Sequence, residues 1–215
     1  FENIRQFVVY LLSCNLAEIL SVGIAASLNF PSPLLPMQIL FLNLITDVFP
    51  ALALGLGKGE KDIMERPPNN PKAPIINRKD WYNIILYGLC ISLAVLGIVA
   101  YAYLVLELPT ETINNMAFYT LVMAQLFNVF NLPKHTESFW INEVTTNIWV
   151  WGAIVLSLGI TFGAYLITPV AEALSLDPVS MHQLILVVLF ALGSLVLAQL
   201  TKRSIKYCFG KTPNG

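Results

Sequence analysis

The chain has 215 residues, of which 56% are hydrophobic and 12% charged, with a mean hydropathy of +0.69. Soluble domains carry about 25% charged residues, so this composition excludes an ordinary soluble domain and a disordered one. A net charge of -1 gives no basis for binding nucleic acid, and the 3 cysteines (Cys14, Cys90, Cys208) are too few and too scattered for a disulfide framework or a cysteine metal cluster.

What remains is an integral membrane protein. Spanning a bilayer as a helix takes about 20 mostly apolar residues. Stretches of this kind cover 7–28, 35–56, 81–106, 116–132, 148–168 and 182–201. The fold class is therefore all-α, a polytopic bundle of six transmembrane helices, with the whole of 1–215 forming one membrane domain. The fourth stretch is the shortest and most polar. The first contains Glu18 and no small-residue cleavage site, so it is not a signal peptide. Residues 1–6 read as mid-helix, which suggests a piece of a longer protein.

An even number of spans puts both termini on one side. All 12 Lys and Arg fall before the first span, in 57–80, in the fourth loop at Lys134, or after 201. The first, third and fifth loops hold none; the third and fifth carry only acids, Glu107, Glu111, Glu172 and Asp177. The positive-inside rule then makes both termini and the 57–80 loop cytoplasmic. That loop contains Pro67, Pro68, Pro71 and Pro74, so it should be extended and stiff, either a connector or a docking surface for a cytoplasmic domain. Trp81, Tyr82, Trp140, Trp149, Trp151 and Tyr165 suit the membrane interfaces.

Of the 13 acids only Glu18 and Asp47 lie well inside spans, where an ionisable group costs at least about 2.5 kcal/mol and is a functional candidate by default. They sit on consecutive helices joined by a short turn. Asn15 and Glu18 are i and i+3; Asn43, Thr46 and Asp47 are i, i+3 and i+4. Each set shares a helix face. Two carboxylates, two amide oxygens, a hydroxyl and nearby carbonyls suit a hard cation such as Ca²⁺. The other reading is that these polar groups join helices. Pro50 follows Asp47 by three residues and should kink or unwind the second span, freeing carbonyls for an ion. Gln125, Asn128 and Asn131 on the fourth span are further amides; Gln125 and Asn128 share a face and are possible additional ligands.

These residues resemble a known family. Asn43-Leu-Ile-Thr-Asp47, followed by Pro50 and Ala51-Leu-Ala-Leu-Gly55, resembles the sixth transmembrane helix of P-type cation ATPases of the Ca²⁺-pump group. Asn15-x-x-Glu18 resembles their fifth helix, and Asp62-Ile-Met-Glu-Arg-Pro-Pro68 the loop that follows the sixth. More weakly, the likeness continues to the tail, so the chain is similar to helices five to ten. The resemblance implies an ATP-driven cation pump, a translocase in its full-length form. In it, Asn15, Glu18, Asn43, Thr46 and Asp47 would bind the transported cation, most simply Ca²⁺, and Gln125 and Asn128 would tune a second site. ATP and Mg²⁺ would act only through cytoplasmic domains of the same pump, docked through 57–80 together with its remaining N-terminal helices.

Two departures qualify this. Gln125 stands where Ca²⁺ pumps with two sites place a Glu, which weakens one site or alters its ion or stoichiometry. Na⁺ pumps also have an amide there, but their sixth-helix motif begins with Asp rather than Asn43. The phosphorylated Asp-Lys-Thr-Gly-Thr and the fourth-helix Pro-Glu-Gly-Leu are not in this sequence. Two rival readings are an ion- or proton-coupled secondary transporter and a structural membrane subunit without an ion site.

Overall fold

A computed structural model describes residues 2–56, 74–132 and 144–209. Most of the 57–80 loop, including Asp62–Pro68, lies outside the described residues, as do Lys134, His135, Trp140 and Lys211. Among the described residues all regular structure is helical: α1 (Glu2–Ser27), α2 (Pro36–Leu42), a π-helical turn (Asn43–Asp47), α3 (Val48–Gly55), α4 (Arg78–Leu104), α5 (Thr110–Asn128) with a 3₁₀ turn (Val129–Asn131), α6 (Ile148–Ala164), α7 (Thr168–Leu174) and α8 (Met181–Phe209). The all-helical architecture expected from the sequence is therefore observed.

Four helical segments are long and apolar enough to cross a bilayer, five if the bent pair α6 and α7 counts as one span. Two of the six expected spans differ from their sequence outline for physical reasons. The fourth, α5, starts at Thr110 rather than 116 and carries Asn114, Asn115, Thr120, Gln125 and Asn128. It is buried along nearly its whole length, so protein rather than lipid surrounds it and its hydropathy need not be high. The fifth ends at Ala164, and the chain then turns by 93° into α7, with Pro169 at the start of the new helix.

The bundle is organised around α4 and α5. Helix α1 packs along α4, α4 and α8 both flank α5, and α3 lies against α1 and α6. Ile98, Val99, Ile113, Met116, Phe118, Leu121 and Leu126 are fully buried at its centre. The α1–α4 contact is close because Gly88 leaves room for Leu16. At the start of both helices Arg5 Nε donates to Ile75 O (2.9 Å) and lies 3.6 Å from Asp80 Oδ2. Aromatic rims expected at the interfaces are exposed: Trp81, Tyr82, Trp149, Trp151 and Tyr165.

Candidate ion site

The second span is interrupted where Pro50 demands it. Proline has no N–H, so Pro50 can serve neither Thr46 O in an α pattern nor Ile45 O in a π pattern. The chain adopts a π-helical turn over Asn43–Asp47 and recruits side chains from other helices for both carbonyls. Tyr10 Oη on α1 donates to Thr46 O (2.8 Å), and Ser157 Oγ on α6 donates to Ile45 O (3.2 Å). The expected break is thus a local widening. The two carbonyls that Pro50 leaves unserved, Ile45 O and Thr46 O, are capped by protein side chains.

This turn carries Thr46 and Asp47 into the interior, 0% and 3% exposed, opposite Glu18 at 4%. Gln125 joins the two elements. Its Nε2 donates to Glu18 Oε1 (2.9 Å), and its Oε1 lies 2.9 Å from Thr46 Oγ1. Thr46 Oγ1 is also 2.8 Å from Leu42 O, so its single proton is shared between two acceptors. Asp47 lies within electrostatic range of Glu18 and in side-chain contact with Cys14, itself fully buried. Asp47 Oδ1 is buried without a hydrogen-bond partner, as are Asn128 Nδ2 and Ser21 Oγ. Orphaned buried polar atoms cost about 1–3 kcal/mol each; for the acceptor Asp47 Oδ1 a cation is one explanation, which the Asn128 Nδ2 donor does not share.

The structure therefore gathers Glu18, Thr46, Asp47 and Gln125, with Asn128 one helical turn beyond. Asn15 and Asn43 differ. Both are half-buried, and Asn15 Nδ2 donates back to Leu11 O of its own helix (3.0 Å). Asn128 Oδ1 already accepts from Asn131 Nδ2 (3.1 Å). Among the described residues no three His, Cys, Asp or Glu side chains stand at metal-holding distance. Any cation here would be held by two carboxylates together with neutral oxygens, a hard-ion donor set.

Sequence reasoning missed Tyr10, Cys14 and Ser157. Tyr10, Cys14 and Glu18 are spaced i, i+4, i+8, a one-face signal that was available; Ser157 had none. Through Ser157, α6 is tied directly to the π turn.

The family model for the cation transporting ATPase C-terminus matches residues 31–204. The chain belongs to this family. A Bacillus subtilis (strain 168) relative, a calcium-transporting ATPase, is 39% identical over 160 residues. That match covers 74% of this chain and 18% of the relative, so the chain spans under a fifth of the length of the relative it matches. Among the described residues, Glu18 on α1 and Asp47 in the π turn are the deeply buried acids of this bundle.

Proposed function

We propose that this chain forms the ion-binding half of an ATP-driven cation pump, and that the cation is Ca²⁺. One observation carries the reading: the carboxylate of Asp47 is buried in a π-helical turn beside Glu18, with Oδ1 unpartnered. A bundle needing only helix-joining contacts would pair that oxygen. Glu18 and Asp47 offset the cation's charge, and Thr46, Asn15, Asn43 and backbone oxygens complete its shell after modest rotation of the two half-buried amides. The calcium-transporting relative supports the choice of ion. Gln125 supplies no charge, which favours one strong site over two. Its amide hydrogen on Glu18 acts as an internal stand-in that the incoming cation displaces.

ATP and Mg²⁺ act through cytoplasmic domains of the same pump, which dock on the 57–80 loop. Both termini and that loop face the cytoplasm. The test is Asp47→Asn in the full-length pump, assayed by cation-dependent phosphorylation across Ca²⁺, Mn²⁺, Na⁺ and K⁺. A loss of at least about tenfold in apparent Ca²⁺ affinity is expected, equivalent to about 1.4 kcal/mol. Unchanged ion dependence refutes the site. A full response to Na⁺ or K⁺ with none to Ca²⁺ refutes the ion.

A further inference from the structure

The positive-inside pattern treats Lys202 as one of the basic residues of a solvated tail. The structure does not. Helix α8 continues past it, and Lys202 is 6% exposed. A lysine at the end of a span ordinarily extends its stem toward water. Lys202 instead turns onto the C-terminal end of α5, where Nζ donates to Asn131 O (2.7 Å) and lies 5.5 Å from the centre of the Tyr87 ring. Tyr87 Oη donates to the same carbonyl (2.8 Å). Gln199 Nε2, one turn earlier on α8, donates to Asn131 Oδ1 (2.8 Å). Asn131 Nδ2 then donates to Asn128 Oδ1 (3.1 Å).

The arrangement has a direction. A cation at a helix C-terminus complements the helix dipole and satisfies a terminal carbonyl. Here three side chains from α4 and α8 converge on one residue, and that residue orients Asn128, one turn below Gln125. With its oxygen engaged, Asn128 points its unpartnered Nδ2 elsewhere. Gln125 sits on the same helix face and bridges Thr46 and Glu18. Burying an ammonium in a membrane segment is costly, so a neutral cap would serve better if only stability mattered.

We propose that Lys202 is a positioning residue for the ion site. By capping Asn131 it fixes the end of α5, holds the Asn128 oxygen in reserve and sets Gln125 between the two ion helices. This rests on the ion-site reading above. The consequence is that Lys202 governs cation affinity, and turnover of the loaded pump is left unchanged.

The experiment uses the full-length pump in nanodiscs, with Ca²⁺ as the probe and phosphoenzyme formation as readout. Lys202→Met is expected to raise the Ca²⁺ concentration for half-maximal phosphorylation about tenfold, within the usual range of coupling between sites. The maximal level per folded pump stays unchanged. Lys202→Arg recovers most of the affinity. Asn131→Leu, which cuts the relay, gives a similar shift, and the double variant shifts no further than either single one. Tyr87→Phe removes the second donor with little risk to folding and shifts affinity the same way by about threefold. Lower yield or thermal stability with unaltered half-maximal Ca²⁺ in these variants overturns the inference, as does an additive double variant. Asp47→Asn is run in parallel. If it abolishes Ca²⁺ dependence while the Lys202 and Tyr87 variants do not shift it, the positioning role alone fails. If it too leaves Ca²⁺ dependence intact, the ion-site reading fails and the positioning role with it.

Discussion

The π turn invites a test that couples Tyr10 to Pro50. Tyr10→Phe keeps the ring and removes only the hydroxyl, which sits fully buried 2.8 Å from Thr46 O. The lost bond strands a buried carbonyl that Pro50 cannot serve, at a cost of about 1–3 kcal/mol. In a Pro50→Ala background the new N–H can reach Thr46 O in an ordinary α pattern. The same Tyr10→Phe change should then cost under about 1 kcal/mol, the net value of one replaceable hydrogen bond. The predicted coupling between the two positions is therefore about 1–2 kcal/mol, well above the roughly 0.3–0.5 kcal/mol scatter of independent sites. The assay is a double-mutant cycle on the purified pump, unfolded in mixed micelles and followed by tryptophan fluorescence. Additive costs refute the idea that the tyrosine stands in for the missing proline donor. A π turn that persists with Pro50→Ala, seen in a structure of the variant, would locate its cause elsewhere.

Two further predictions concern packing and the far end of the bundle. A Cβ added at Gly88 would lie 2.9, 3.0 and 3.2 Å from Leu16 Cδ2, Cγ and Cβ, so Gly88→Ala must push α1 from α4 at a cost of about 1–3 kcal/mol. At Gly97 the encounter is with the far edge of the Phe190 ring at 2.9 Å, which can swing aside, so Gly97→Ala should lower the melting temperature less; the reverse order would contradict the packing account. Gln38 is fully buried, and its Nε2 donates to Asn114 Oδ1 (2.8 Å) and Leu174 O (3.0 Å), tying α2 to α5 and α7. Gln38→Leu strands both acceptors and should destabilise by about 1–3 kcal/mol, while Ca²⁺-dependent phosphorylation of the surviving pump keeps its midpoint. A shifted midpoint would mean that this outer tie also shapes the ion site.

How much of this could be read from the sequence follows from where each signal resides. Glu18 and Asp47 were legible because a membrane interior makes any acid conspicuous, and both prove buried. Span positions were legible where lipid imposes an apolar surface, as in α1, α4 and α8. They were less so in α5, which protein surrounds and which therefore lacks the apolar surface that lipid would demand. Pro50 announced a disturbance, since its missing donor is a local fact. The form of that disturbance was not local: the donors that replace it come from Tyr10 and Ser157, 36 and 112 residues from the carbonyls they serve.

Lys202 shows the same limit from the other side. Charge position along the chain placed it correctly at the end of a span, and the rule that reads such charges assumes that they face water. Whether a terminal lysine faces water or turns inward depends on what waits for it. Here a tyrosine ring on α4 and the buried Asn131 carbonyl at the end of α5 meet at one spot. The same two helix ends position the amides nearest the buried acids. Residues that hold charge in this bundle are thus visible one at a time in the sequence, whereas residues that arrange the charged ones become visible only when α1, α4, α5 and α8 are assembled. That is why the ligand set and its supports separate as they do: position inside apolar spans marked Glu18 and Asp47, helical spacing marked Gln125, and contact between helices found Tyr10 and Lys202.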